Sequence, residues 1–251
     1  MNIRSISTNF QHFVDTILTD HIKFDVLGFT ETRLNVDISS LYNLPNYQLY
    51  TSNRNTYGGG VAIYVSGKYH CTHNNACSLL DIHIESLGIE VILDEKTYLC
   101  ICIYRPPQNN IIDLLSSLNE ILNSTKDKHY QGVFMFGDFN IDLLQNNNSN
   151  VQEFINFMYS FSLFPLTTLP TRITTSSATP IDHVWISLVE LNVANYVVKT
   201  DITDHFPIIS VFKNINTFQS CPSYMTKRFY SRHNLEKFSS LLSEENWSDV
   251  F

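Results

Sequence analysis

Six places in this 251-residue chain put a polar side chain at the end of an apolar, strand-like run or in the turn beside it. They are Asn2, Glu31 in FTET, Tyr104 in IYRPP, Asp138 with Asn140 in GDFN, Asp182 in PIDH, and Asp204 with His205 in TDHFPI. A polar group at the mouth of a buried strand costs free energy unless something satisfies it. Layered α/β folds gather strand ends at one edge, where loops aim side chains from several strands at a common point. The pattern therefore calls for a fold in which these ends converge on an acidic pocket.

The spacing of apolar residues supplies the elements of such a fold. Phe10, Phe13, Val14, Ile17 and Leu18 recur with helical period, and KFDVLGFTET then reads as a short buried strand. Alternating VAIYV follows the glycine-rich turn around Gly58 to Gly60, and strand-like runs cover Ile82 to Leu93 and Thr97 to Tyr104. A second amphipathic helix is marked by Ile111, Leu114, Leu115, Leu118, Ile121 and Leu122, and it leads into the strand that ends in GDFNID. The low-complexity QNNNSN reads as a surface loop, and Phe154, Ile155, Phe157 and Met158 predict a third helix. PIDHVWIS, NVANYVVKT and FPIISVF predict closing strands. Mixed strands and helices in this order predict an α/β domain of packed sheets with helices outside. Beyond about residue 213 the strand rhythm stops, so residues 214–251 are expected to form a linker-like tail with one short helix.

Composition narrows the class. The hydrophobic content of 43% suffices for one large core. No run of about 18 apolar residues argues for a membrane span, and a nuclear or cytoplasmic, non-secreted setting is expected. Five cysteines (Cys71, Cys77, Cys100, Cys102, Cys221) are odd in number and lack zinc-site spacing, so reduced thiols are expected. A formal charge of −8 argues against coating nucleic acid by electrostatics alone, yet suits an acidic site around a divalent ion.

Taken singly, several of these residues have ordinary explanations. Glu31 fits a solvated turn, Tyr104 a proline-stopped strand end, and Asp138 with Asn140 an Asx turn. His183 reads as structural. The TDH stretch pairs an imidazole with a carboxylate, which suits proton transfer near neutral pH.

In their order and spacing, NIRS, TET, GGGVAIYV, YRPP, GDFN, IDH and TDHFP resemble the endonuclease/exonuclease/phosphatase superfamily. Within it they look most like the apurinic-type endonuclease domain of non-LTR retrotransposons, over residues 1 to about 213. The resemblance implies a DNase-like, four-layer α/β sandwich of two packed, mostly antiparallel or mixed sheets flanked by helices. It implies a magnesium-dependent phosphodiesterase, with manganese as a substitute, that nicks DNA and exposes a 3′-hydroxyl for reverse transcription. Asn2, Glu31 and Asp204 would hold the metal. Asp138 would activate water, Asn140 would fix the phosphate or nucleophile, and Tyr104 would stabilise charge on the phosphate. His205 would contact the phosphate or move a proton, oriented by Asp182. Arg105, Arg172, Lys199 and Thr203 are candidates for DNA contact, and the loops at 53–60 and 174–179 for target choice. A reverse transcriptase domain is expected in an intact element, the chain itself is expected to be a monomer, and residues 214–251 resemble the linker toward that domain. The family has a longer first strand than Met1 provides before Asn2, so a truncated, less stable opening strand is expected. Two alternatives stay open: a catalytically dead interaction module, and a phosphodiesterase acting on lipid headgroups, inositol phosphates or RNA tails.

Overall fold

The structure is a computed structural model in which residues 1–18, 22–35, 38–54, 58–107, 110–188, 192–213 and 232–244 are described. The chain divides into two compact units, Met1–Asn216 and Thr217–Phe251. In the first, helix α1 (Ile6–Ile17) precedes strands β1 (Val26–Thr30), β2 (Tyr47–Ser52), β3 (Val61–Ser66), β4 (His70–Asn74), β5 (Glu85–Leu93) and β6 (Lys96–Tyr104). Helix α2 (Ile111–Asn123), strand β7 (Gly132–Asp138) and helix α3 (Ser149–Ser160) come next. The unit closes with β8 (Phe164–Pro165), β9 (Arg172–Ile173), β10 (Ala178–Thr179), β11 (Asp182–Ile186), β12 (Asn192–Val197) and β13 (Ile208–Lys213). The second unit contributes α4 (Arg232–Glu244), on which Phe238, Leu241 and Leu242 are exposed. The remainder of the tail lies outside the described residues.

Two sheets build the sandwich: β1-β3-β2, and the six-stranded β4-β5-β6-β7-β11-β8. Period-two alternation along β6 shows how the layers form. Leu99, Ile101 and Ile103 face a core with Leu114, Leu118 and Ile121 of α2 and Phe154 and Met158 of α3. Cys100, Cys102 and Tyr104 face the opposite way, toward Val61, Ile63 and Val65 of the small sheet. On its outer side the small sheet meets Ile6, Phe13 and Ile17 of α1 through Leu27, Phe29, Ala62 and Tyr64. This gives four layers, helix on sheet on sheet on helices. Each fully buried Leu, Ile or Phe contributes about 1.5–3 kcal/mol relative to an exposed one.

The only parallel pair among the named strands, β6 with β7, is joined by α2 as a crossover helix. Asn110 caps α2 by accepting from Ile112 N–H, and Asn148 caps α3 by accepting from Asn150 N–H, each worth about 1 kcal/mol. The QNNNSN stretch is thus only partly a loop: Asn148 caps α3, and Ser149 and Asn150 form its first turn. At the opening, Met1 to Ile3 pair with β1 through a parallel bridge, Asn2 opposite Thr30, rather than as a full strand. No described helix is long and apolar enough to cross a membrane.

Candidate active site

The register of the large sheet sets Glu85 opposite Tyr104, Tyr104 opposite Asp138, and Asp138 opposite Asp182. Directly paired residues present their side chains to the same face. Four polar side chains from four neighbouring strands therefore form a row across one end of the sheet, on the face where Tyr104 joins the inter-sheet core. From the facing sheet, β1 ends at Thr30 and delivers Glu31 to the same place. Glu31 and Asn140 hold left-handed φ of 51° and 48°, a conformation that non-glycine residues adopt at a cost and that concentrates at functional sites.

At one end of the row, Asp182 and His205 are both buried, and His205 Nδ1–H donates to Asp182 Oδ2 at 2.8 Å. The fully buried Thr171 hydroxyl donates to the same oxygen at 2.8 Å and accepts from Asp182 N–H at 3.0 Å, which fixes the carboxylate. The turn carrying His205 is pinned from two sides. Phe206 N–H donates to Thr171 O at 2.7 Å, and Thr203 Oγ1 reaches Asn2 O at 3.1 Å. Burial pulls the His205 imidazole down, but the Asp182 hydrogen bond and the Asp182, Asp138 and Asp204 charges outweigh it and raise its pKa. His183 is structural, as its sequence position suggests. Its Nε2–H donates to Ile141 O at 2.8 Å and Pro180 O at 3.0 Å, and burial pulls its pKa down to about 4.

At the centre, Asn2 bridges the two sheets. Arg4 N–H donates to its Oδ1 at 3.1 Å, which turns Nδ2 toward Glu31 Oε1 at 2.7 Å and Asp138 Oδ2 at 2.9 Å. Asp138 Oδ1 accepts from Asn140 N–H at 3.0 Å, so an Asx turn is present, and it orients the acid. The Asn140 amide donates to Arg105 O at 2.7 Å. Tyr104 is buried; desolvation first, then the Glu31, Asp138 and Glu85 charges, raise its pKa, so it stays a neutral O–H group.

Three of the expected site residues make contacts that the sequence did not indicate. Asn2 directs its amide nitrogen at the carboxylates of Glu31 and Asp138, and so links the two acids. Asp204 lies between two guanidiniums, Arg4 Nη1 and Arg172 Nε, each at 2.9 Å. Burial raises its carboxyl, but the Arg172 hydrogen bond and the charges of His205, Arg4 and Arg172 hold it below the usual range, so it is an ionised anchor for both arginines. Arg105 is buried and donates to Phe139 O and Asn140 O at 3.2 and 3.1 Å, which braces the GDFN turn instead of reaching for DNA. Arg172 and Thr203 border the site, and Lys199 is exposed away from these contacts. The 174–179 loop is the β9–β10 hairpin, while part of the 53–60 loop lies outside the described residues.

Sequence reading missed Glu85, Thr171 and Arg4. Glu85 had a weak signal, an acid opening the long apolar strand ESLGIEVIL. Thr171 and Arg4 sit inside the quoted motifs' neighbourhood, but only the folded contacts reveal them.

Asp138, Asp182 and His205 offer ligand atoms within 4.8 Å of one another. Of these, Asp182 Oδ2 and His205 already satisfy each other, whereas Asp182 Oδ1 is buried without a hydrogen-bond partner among the described residues. Glu31 and Asp138, gathered on one amide nitrogen, supply the hard oxygen donors that magnesium and manganese take. The donor set fits such an ion.

Burial and the Asp182 charge push Asp138 up to about 7, against the lowering effects of His205, Asn2 and Asn140. The unfolded value is about 3.9, so between about pH 4 and pH 7 the folded chain binds the extra proton. His205, also raised, adds stability that is complete below about pH 6.5 and lost as pH climbs through its folded value. In EDTA the thermal midpoint is therefore expected to fall as pH rises from about 4 to about 7, and Asp138→Asn is expected to flatten that slope. A midpoint of Asp138→Asn that tracks the native chain across the window would contradict this assignment.

The family described as "Endonuclease-reverse transcriptase" matches residues 98–209, which span β6 to β13 and include Tyr104, Asp138, Asp182 and His205. No curated protein matches the chain. Among solved structures, the chain is similar to the endonuclease domain of TRAS1, a telomere-specific non-LTR retrotransposon, at 12% identity and TM-score 0.66, over 85% of this chain and 96% of that one. It is similar to an AP endonuclease from Archaeoglobus fulgidus, at 15% identity and TM-score 0.61, over 84% and 97%. A 3′-5′ exonuclease from Neisseria meningitidis aligns at 17% identity and TM-score 0.62, again over 84% and 97%. The family match covers β6, β7 and β11, three of the four strands that carry the polar row, and the fold is shared along nearly the whole of these solved proteins.

Proposed function

We propose that the chain is a divalent-metal-dependent endonuclease that nicks DNA, of the kind that serves a non-LTR retrotransposon. The observation that carries this reading is the meeting of Glu31 and Asp138 on Asn2, beside the buried Asp182–His205 pair. Hydrolysis of a phosphodiester needs an activated water, neutralisation of growing negative charge and support for the leaving oxygen. Asp138 takes the proton from water as the water oxygen bonds to phosphorus. The phosphorus–O3′ bond breaks, O3′ leaves and takes a proton from solvent water to become a 3′-hydroxyl, and the phosphate stays on O5′ of the downstream nucleotide. His205, protonated and held in one orientation by Asp182, presents Nε2–H to a phosphate oxygen, and Tyr104 presents its O–H from the strand beside Asp138. Asn140 keeps Asp138 aimed. Glu31 and Asp138 would hold magnesium, which when bound supplies positive charge against the phosphate. Arg172 and Arg4, seated on Asp204, offset charge at the rim.

A 3′-hydroxyl is the end that a reverse transcriptase extends, which connects the chemistry with the matched family's description. The reading of a catalytically dead module finds no support in a site whose acids, imidazole and phenol all gather at one sheet end.

Supercoiled plasmid is expected to be converted to nicked circles in magnesium or manganese and left intact in EDTA, with Glu31→Gln requiring more metal for the same rate. Nicking that proceeds in EDTA, or RNA cleaved in preference to plasmid, would overturn the reading.

A further inference from the structure

The fully buried Glu85 closes the polar row yet has no part in the chemistry above. Burying a carboxylate beside other acids is costly unless it is paired and hydrogen-bonded. Its partners lie between β2 and β3: Gly60 N–H donates to Oε2, and Arg54 Nε lies 2.6 Å from Oε1. Arg54 Nη2 also donates to Asp81 O at 3.1 Å. A Cβ added to Gly59, at φ +71°, would lie 2.2 Å from Glu85 Oε1, so the glycines let the backbone lie directly on the carboxylate. The guanidinium is therefore fixed at two points, and it still leaves the Arg54 side chain 25% exposed. Its charge reaches Tyr104, the register partner of Glu85.

The opposite end of the row carries the guanidiniums of Arg4 and Arg172, both held by Asp204. Glu85 and Asp182 stand three inter-strand spacings apart, roughly 14 Å. A nucleic-acid strand laid along the row would set its scissile phosphate over Asp138 and its neighbouring phosphates toward the two arginine ends. Arginine suits this task, because its planar fork of donors can grip a carboxylate with one edge and a phosphate with another.

We propose that Arg54 contacts a substrate phosphate flanking the scissile bond, with Glu85 as the positioning residue that aims it. The proposal rests on the endonuclease reading above. Binding of a short fluorescein-labelled duplex is measured by anisotropy in EDTA over a series of salt concentrations, followed by KM and kcat for nicking in magnesium. Arg54→Ala is expected to weaken binding about fivefold, to lower the slope of log K against log salt by about 1, and to raise KM more than it lowers kcat. Arg54→Lys is expected to fall between Arg54→Ala and the native chain. Glu85→Gln should act in the same direction, and the double variant should be no worse than Arg54→Ala, because the two side chains act as one unit. If Glu85→Gln does not fold, by its thermal transition, Glu85→Asp replaces it in the same comparison.

An unchanged salt slope and affinity in folded Arg54→Ala would overturn the phosphate contact. Native behaviour of the Glu85 variant beside a defective Arg54→Ala would overturn the positioning role. A native chain that binds no DNA would overturn the endonuclease reading and this contact with it; native binding with an unaffected Arg54→Ala would sink only the contact.

Discussion

His205→Ala is expected to slow nicking by about 10²–10³-fold, the range lost when one donor to the transition-state oxygens is removed. The geometry explains why no neighbour should substitute. His205 is buried against Asp182, at 2.8 Å, and Asp182 is itself locked by Thr171. The Nδ1–H bond to Asp182 thus fixes the orientation of the imidazole, and the raised pKa favours the form that also carries hydrogen on Nε2. Alanine removes that donor and also leaves the Asp182 carboxylate with Thr171 alone. Breaking a buried pair costs about 3–5 kcal/mol, so the single-turnover rate must be taken well below the variant's own melting temperature. A folded His205→Ala chain nicking within about tenfold of the native rate would remove His205 from the chemistry.

Gly137→Ala is expected to cost about 2–5 kcal/mol in stability, read as a fall in the urea or thermal midpoint. Gly137 precedes Asp138 at the end of β7 with φ +142°, outside the comfortable range of residues that carry a Cβ. A Cβ there would lie 1.9 Å from Ile103 O and 2.9 Å from Ile103 N on the neighbouring parallel strand. Both contacts are backbone, so neither can swing aside as the tip of a side chain could. Relief requires β6 and β7 to separate at the end that aligns Tyr104 with Asp138. Activity is therefore expected to fall together with stability. A Gly137→Ala chain as stable as the native one would show that β7 does not press on β6 in this way.

Much of the sandwich was legible because its physical rules are local. The strand-like run Thr97 to Tyr104 is β6, along which Leu99, Ile101 and Ile103 face one core and Cys100, Cys102 and Tyr104 the other. Helical spacing located α2 well, while α1 and α3 begin earlier than the spacing read from the sequence, because polar residues separate Ile6 from Phe10 and Val151 from Phe154 and interrupt the hydrophobic period. The site was legible to the extent that polar residues interrupted apolar runs, which marked Glu31, Tyr104, Asp138, Asp182 and His205. What stayed hidden depends on register and on three-dimensional pairing. Nothing local says that Glu85 is the cross-strand partner of Tyr104, that Thr171 secures Asp182, or that Arg4 and Arg172 occupy Asp204. Arg105 misled for a related reason. An arginine beside YRPP reads as a surface cation, whereas the carbonyls of Phe139 and Asn140 give it a buried seat.

The central claim is that this row of side chains hydrolyses a DNA phosphodiester and leaves a 3′-hydroxyl. Its most direct test is end chemistry: supercoiled plasmid is treated in magnesium with the native chain or with Asp138→Ala purified alongside, and the nicks are offered to a DNA polymerase with labelled nucleotide. The account predicts nicks that are extended at once in the native reaction and are nearly absent with Asp138→Ala. Equal nicking by both proteins, or native nicks that the polymerase cannot extend until a 3′-phosphate is removed, would contradict it.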